Sequence, residues 1–421
     1  MPASPTSEAL FEPASRARPT DSRAGGDDRR LRIAIVYDCL YPHTIGGAEH
    51  WYRSLAGRLA SRHQVTYLTR VQWRDGETPG APEGVKVIGL GPRSSLYTHS
   101  GRRRIVPPLR FGIGVLAHLL RNRRNYDVVH TCSFPYFPML LASVVARVGG
   151  PPVVTDWIEV WSPDYWNNYL GRYGGWIGAL IQKLCIRITD QAFTFADSTA
   201  AMLRCYGYRK EPVILRGMFA GDEGPPDLQS ARSPLVVYVG RHIREKHVTA
   251  IPAAIALARE TVPDLHAVIF GDGPEREKLL ADVARLRLDD CIDCPGFVDW
   301  RRIDEALRRA MCLLLPSERE GYGLVVLEAA ARGTPAILVK GPHNAAAAFI
   351  EEGVNGYVAQ DAGPAALARA IIQVCKNAAS LRNSTAAWFK QHEAAFNIEN
   401  SLARLEQAYR AAAGSSSINR T

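Results

Sequence analysis

The sequence has no unbroken apolar run long enough to cross a bilayer. The longest, from Pro135 to Ala146, falls well short of the roughly 20 residues a spanning helix needs. Residues 1–30 are polar, with no apolar core to make a signal peptide. The expected compartment is the cytoplasm, with peripheral contact at the inner face of the membrane as the one membrane association left open. Lysine is scarce: only 8 of the 51 basic residues are Lys. That is the signature of a general arginine bias, so the net charge of +9 is a weak pointer to a polyanion. No aromatic-interleaved basic module accompanies it, which argues against nucleic acid as a partner. The eight cysteines, Cys39, Cys132, Cys185, Cys205, Cys291, Cys294, Cys312 and Cys375, are scattered, mostly inside apolar runs. They read as buried thiols in a reducing compartment rather than a disulfide framework. Cys291 and Cys294 form a C-x-x-C with no second pair and no His pair, so they are expected at core positions around a short strand. No metal-ligand cluster is visible and no Asp-x-Asp follows a strand end, so neither a metal nor a cofactor is expected. No G-x-G-x-x-G follows the first strand, which counts against a dinucleotide oxidoreductase.

What is present is a globular composition. The chain has 421 residues, 47% apolar and 22% charged, enough for two domains with real cores. Charge is uneven. Residues 31–150 carry 16 basic and 6 acidic side chains, while residues 1–30, 151–230 and 231–421 are each near balance. Arg102, Arg103, Arg104, Arg110, Arg121, Arg123 and Arg124 form the densest part of the excess, which favours an anionic partner such as phosphate or a membrane surface.

Apolar runs alternate with helical periodicity. Strands are expected at Leu31–Tyr37, Val65–Thr69, Val85–Leu90, Val128–His130, Val153–Thr155 and Ala192–Phe195, with helices at 46–62 and 109–124. Residues 221–233, rich in Gly, Pro, Asp and Ser, read as a linker. The pattern then restarts, with strands at Leu235–Val239, Leu265–Phe270, 311–315, 336–339 and 356–359. Helices are expected at 247–260, 274–287, 300–310, 322–333, 344–352 and 363–378. Continuous apolar strands alternating with helices indicate parallel sheets covered on both faces. The expected organisation is a disordered tail over 1–30, a Rossmann-like domain over 31–220, the linker, and a second Rossmann-like domain over 234–380. Residues 381–412 read as terminal helices, and 413–421 as a second tail. A ligand is expected beyond the carboxyl ends of the strands, in a cleft between the halves. The stretch 176–188 places Ile177, Leu180, Ile181, Leu184 and Ile188 on one face; a core-facing helix is expected, with a membrane-grazing one as the alternative.

Three stretches of the second half carry chemistry. Gly240 follows a strand, and Arg241 and Lys246 lie five apart on the next loop, spaced to clamp a diphosphate. Gly271-Asp272-Gly273-Pro274 makes a tight strand-to-helix turn, read equally as turn chemistry or as a nucleotide contact. In Pro316-Ser317-Glu318-Arg319-Glu320-Gly321-Tyr322-Gly323-Leu324-Val325-Val326-Leu327-Glu328, a loop carboxylate precedes a Gly-x-Gly turn into a helix with a second Glu eight residues on. Backbone amides at such a helix start suit phosphate, and the two carboxylates suit sugar hydroxyls.

This last run resembles the E-x7-E motif of the family 4 glycosyltransferases, retaining enzymes of the GT-B fold. Gly46-Gly47-Ala48-Glu49, Tyr126-Asp127-Val128-Val129-His130, the Gly240-Arg241…Lys246 spacing and Gly271-Asp272-Gly273-Pro274 resemble the same family, in its order, over roughly residues 31 to 410. The resemblance implies two Rossmann-like domains facing each other across a cleft, with nucleotide diphosphate held by the second, acceptor mainly by the first, and the C-terminal helices over 381–412 crossing back to the first domain. Carried over, Arg241 and Lys246 neutralise the diphosphate and Glu320 contacts the donor sugar. The backbone of Gly321, Tyr322, Gly323 and Leu324 lies near phosphate, and Glu328 binds the ribose hydroxyls. Gly46 and Gly47, with Gly240 and Gly271, line the donor site. The sequence departs from the family where a His often follows the strand at Val153–Thr155. Here the run is Thr155-Asp156-Trp157-Ile158-Glu159, and Asp156 is the expected replacement near the reacting carbons, or else a helix cap. The usual Asn-Gly at the domain junction reads Arg216-Gly217-Met218-Phe219. His130, Trp157 and Glu159 are candidate acceptor contacts; the cluster of Trp157, Trp161, Tyr165 and Trp166 reads either as a stacking platform or as packing.

The implied activity is metal-independent, retaining transfer of a hexose-type unit from a nucleotide-diphosphate sugar, with UDP the leading base, to a hydroxyl. The acceptor is expected in cell-envelope glycan or lipid-linked oligosaccharide synthesis, with a soluble secondary metabolite as the rival. A nucleotide-sugar epimerase on the same architecture and a sugar-nucleotide-binding protein without turnover are the other readings.

Overall fold

A computed structural model describes residues 29–96, 104–221 and 234–418. The expected tail (but for Arg29 and Arg30), Arg102, Arg103 and almost all of the expected linker lie outside the described residues. Among the described residues the chain divides into two compact units: those up to Met218 with those from Ile398 onward, and Phe219–Asn397.

The first unit is built on seven parallel strands: β1 (Arg32–Val36), β2 (Gln64–Thr69), β3 (Val85–Gly89), β4 (Val128–Cys132), β5 (Val153–Trp157), β6 (Gln191–Thr194) and β7 (Val213–Ile214). Their order is β3-β2-β1-β4-β5-β6-β7. Ile35 pairs with Tyr67 on one side and His130 on the other. Ile33, Ala34 and Ile35 are fully buried in succession, which is why β1 reads as a continuous apolar run rather than an alternating one.

The second unit contains β8 (Leu235–Val239), β9 (His266–Phe270), β10 (Ile292–Gly296), β11 (Cys312–Leu315), β12 (Arg319–Glu320), β13 (Ala336–Val339), β14 (His343–Asn344) and β15 (Gly356–Ala359). Six form a parallel sheet in the order β10-β9-β8-β11-β13-β15, and β12 pairs with β14 outside it. Each sheet winds in both directions from its first strand. Strand order therefore reverses between β1 and β4 and between β8 and β11, the places where open sheets leave a crevice for ligands.

Several expectations need correction. The stretch 344–352 is a short 3-10 turn, Ala345–Phe349, not an α-helix. The terminal region is two helices, Ala378–Phe396 and Ile398–Ile418. The first stays in the second unit, and only the second, from Ile398, belongs to the first unit. Helix also continues through 413–418, where a tail was expected. The stretch 176–188 lies in the helical span Pro163–Ile188, interrupted at Gly171 (φ 75°). Only part of the expected apolar stripe faces the core: Ile181 and Ile188 pack against it, whereas Ile177, Leu180 and Leu184 are about half exposed. Inward are Gly175, Gly178, Gln182, Cys185 and Ile186. A Cβ on Gly178 would lie 2.4 Å from the Trp166 ring, so the small residues take the core side by close approach. Cys291 is buried and Cys294 half-buried about the start of β10, and burial pushes the Cys294 thiol up to about 11.

Candidate functional site

In the second unit, three loops at the carboxyl ends of β8, β9 and β11 meet. Gly271 (φ 118°) lets the turn after β9 press on the end of β8; a Cβ there would lie 1.9 Å from the Gly240 carbonyl oxygen. Gly273 (φ 151°) sits close over His242, with a Cβ 2.4 Å from the His242 carbonyl oxygen. The His242 amide donates to the Asp272 carbonyl (2.8 Å), and the Glu275 amide donates to that of His242 (2.9 Å). On the other side, the Glu318 amide donates to the Glu245 carbonyl (3.0 Å). The Lys246 ammonium donates to the Arg319 carbonyl at 3.2 Å and to Glu320 Oε1 at 2.5 Å.

The structure thus brings Gly240, Arg241, Lys246, Gly271 and Glu320 into one constellation. Lys246 and Glu320 are mostly buried, and at low local dielectric their pairing fixes both side chains. Arg241 is exposed, and its carbonyl accepts from the Tyr238 hydroxyl (3.0 Å). Burial, then the nearby Glu320 carboxylate, pushes the Tyr238 phenol far above its ordinary value, and the Arg241 cation pulls the other way. Both charges are therefore in electrostatic reach of one hydroxyl.

The Gly321-Tyr322-Gly323 turn opens the helix Leu324–Ala331. Gly323 is left-handed (φ 88°), and a Cβ there would lie 2.4 Å from that of Ala346. The Tyr322 side chain is buried, its ring edge-on to Phe349 at 5.1 Å, so this residue offers its backbone to the turn. The first amides of a helix have no acceptor within it, and here they begin at Leu324, four residues after Glu320. Glu328 lies half-buried on the same helix, a turn beyond Leu324.

Sequence reasoning missed three supports of this site. Asn344, buried, donates through Nδ2 to the carbonyls of Ser317 (3.0 Å) and Val339 (2.9 Å), tying the loops after β11 and β13. Arg332 is fully buried; it bonds Asp304 and the Glu328 carbonyl, holding the end of the helix that carries Glu328. His242 is also fully buried, and burial, then Arg276, lowers its pKa, so a neutral imidazole fills the space under the loops. Only the Asn had a legible signal, a lone polar residue between apolar segments.

In the first unit, Gly46 precedes the helix Gly47–Ala60 with extended backbone, and a Cβ there would meet the Glu49 carboxylate at 2.6 Å. Glu49 accepts from the Tyr37 hydroxyl (3.2 Å). Between the adjacent strands β4 and β5, His130 Nε2 lies 2.8 Å from Asp156 Oδ1. The other carboxylate oxygen of Asp156 accepts from Trp51 Nε1 (2.9 Å). His130 Nδ1 is 2.5 Å from the hydroxyl of Tyr409, on the helix Ile398–Ile418. His130 and Asp156 have no exposed surface.

This burial corrects three expectations. Asp156 does not stand open at a reacting centre, because both its oxygens face protein partners. His130 presents no ring edge to an acceptor. Trp157 is fully buried, with its indole N–H donated to Thr189 Oγ1 (3.3 Å). Glu159 is half-buried and accepts from Trp161 Nε1 (3.0 Å). The aromatic cluster is held by Gln182, whose Oε1 accepts from the Tyr136 hydroxyl and the Trp161 amide, both at 2.9 Å. That geometry is packing. Among the described residues, no three His, Cys, Asp or Glu side chains converge as a metal-ligand set.

Two family models match the chain, Glycosyltransferase Family 4 over residues 45–215 and Glycosyl transferases group 1 over residues 225–390. A glycogen synthase from Mycobacterium tuberculosis is 28% identical over 333 residues, covering 73% of this chain and 77% of that protein. Among solved structures, a sucrose-phosphate synthase from Thermosynechococcus elongatus superposes with a TM-score of 0.73 at 20% identity, over 90% of this chain and 98% of that one. HepE from Anabaena, in complex with UDP-glucose, superposes with a TM-score of 0.68 at 17% identity, over 91% and 100% of the two chains.

Proposed function

Given that this chain is a glycosyltransferase of the GT-B fold, we propose that it moves a hexose-type unit from a nucleotide-diphosphate sugar to a hydroxyl, with retention and without a metal. The observation that carries the reading is the convergence of Arg241, the Lys246–Glu320 pair and the Gly321–Leu324 backbone at the switch point of the second sheet. Breaking the bond from the anomeric carbon to phosphate oxygen leaves its electron pair on the diphosphate. The acceptor oxygen forms the new bond and passes its proton to the departing diphosphate oxygen. Fixed cations at the growing negative charge are the largest stabilisation such a site supplies. Lys246, held in place by Glu320, needs little reorganisation to meet phosphate. Glu320 then faces the sugar, and Glu328 the ribose, as the two carboxylates of an E-x7-E pattern. UDP is the favoured base, a choice supported by the UDP-glucose bound to HepE. His130 and Asp156 act as positioning residues that hold the helix behind Gly46 and Gly47, through Trp51.

For the acceptor, we favour an anionic envelope or lipid-linked glycan. The support is the exposed basic surface of the first unit, where Arg104, Arg110, Arg121, Arg123 and Arg124 stand open.

Thermal shift with UDP-, GDP-, dTDP- and ADP-sugars tests the donor site. A ligand at a hundred times its Kd adds about 2.7 kcal/mol to the folded state. One nucleotide sugar is expected to stabilise the wild type and to lose its effect in both Arg241→Ala and Glu320→Ala. No shift in the wild type, or equal shifts in all three proteins, would place the nucleotide elsewhere.

A further inference from the structure

The span after Gly171 is an inverted amphipathic helix. Its glycines face the core, and Tyr173 (88% exposed), Trp176 (67%), Ile177, Leu180 and Leu184 face outward. Their spacing of three and four residues puts them on one stripe. Arg172, Lys183 and Arg187 are exposed on the same stretch, and no Asp or Glu occurs between Asp164 and Asp190. The neighbouring layer repeats the pattern. The helix Tyr136–Arg147 packs beside this one and beside Val106–Arg121, and Arg147 donates to the Ile188 carbonyl (3.2 Å). Ile105, Val106 and Ile113 are more than half exposed, and residues 84–126 and 128–155 contain no acid at all.

We propose that the outward face of residues 172–187 docks on an anionic lipid bilayer, lying in the interface with its Trp and Leu side chains among the headgroups and its cations at the phosphates. The chemistry is that of an interfacial helix: a Trp, Tyr and Leu stripe flanked only by Arg and Lys. No candidate membrane span exists among the described residues, so the contact is peripheral. Charge selects the occupant. A second copy of this chain, docked two-fold on the same face, sets Arg172, Lys183 and Arg187 against their own copies, whereas anionic headgroups neutralise them. Large apolar side chains left half exposed over a glycine-lined core face are accounted for by burial elsewhere. The inference goes beyond the donor reading and does not depend on it.

Co-sedimentation of the full chain with phosphatidylglycerol-rich vesicles and with pure phosphatidylcholine vesicles tests it. The variants are W176S/L180S and K183E/R187E. All four positions are exposed, and the melting temperature of the free protein monitors the fold. The wild type is expected to pellet with the anionic vesicles and to stay in solution with the neutral ones. Each double variant is expected to lose about tenfold or more in partitioning, with its melting temperature unchanged. The proposal is overturned if the wild type ignores anionic vesicles, or if the charge variant binds like the wild type. It is also overturned if the wild type is a dimer that W176S/L180S dissociates, which would give the face to a second copy.

Discussion

At the scale of single residues, the candidate donor site depends on how closely its backbone loops approach. Gly271 has the tightest of these contacts, and both space and dihedral angle exclude a side chain there. We expect Gly271→Ala to destabilise the second unit by about 2–3 kcal/mol, the combined cost of overpacking and a strained φ. Nucleotide stabilisation should be lost with it, since the substitution pushes on the end of β8 beside Arg241. Urea unfolding with and without UDP-glucose reads both effects; a variant as stable as the wild type would contradict the close approach. A motif of two glycines announces such a turn, but only the structure shows which carbonyl each glycine faces.

At the scale of elements, the helix Ile398–Ile418 completes the first unit. Leu402, Leu405 and Tyr409 are buried. Its exposed ion pairs, Glu399 with Arg58 and Arg62, add little beside that burial. Tyr409→Phe removes the hydroxyl that meets His130 and leaves a buried ring nitrogen without it, at a cost of about 1–3 kcal/mol. Denaturant melts of the full chain check this, and an unchanged midpoint would mean that the contact contributes nothing. The sheets were legible because buried parallel strands are unbroken apolar runs, so β1, β2, β8 and β9 fall within a residue or so of expectation. The two-residue strands β7, β12 and β14 were not, because only pairing partners define them. The helix over residues 172–187 was legible in period but not in direction: an apolar stripe ordinarily marks the core face, and here the glycine stripe takes it. Of the site, Arg241, Lys246 and Glu320 were legible from loop position and spacing. The burial of His130 and Asp156 was not, because it depends on Trp51 and on Tyr409, more than 250 residues away in sequence.

At the scale of the whole molecule, acid sensitivity follows from two carboxylates. Burial works against the charged form of Asp127, yet hydrogen bonds from Arg32 hold its carboxyl below the ordinary range. Burial likewise opposes the charge on Asp304, and Arg308 and Arg332 outweigh it. A group whose folded pKa is depressed stabilises the fold above its unfolded value, and that contribution is lost as pH falls through the folded one. The melting temperature is therefore expected to drop as pH falls below about 4. Asp304→Asn should lower stability at neutral pH and flatten the acid limb. Parallel pH profiles for the two proteins would rule Asp304 out as a source of that limb.

The course of the chain between the units bears on how the protein is made. Among the described residues, the second unit is drawn from one stretch of chain, Phe219–Asn397, whereas the first needs both the residues up to Met218 and the segment from Ile398 onward. During translation the seven strands of the first sheet leave the ribosome before the second unit, but Tyr409 leaves only after it. Domains fold as units when their parts are available. The half synthesised first is therefore the half completed last, and its acid–imidazole pair waits, unclosed, through the synthesis of the whole of the other unit.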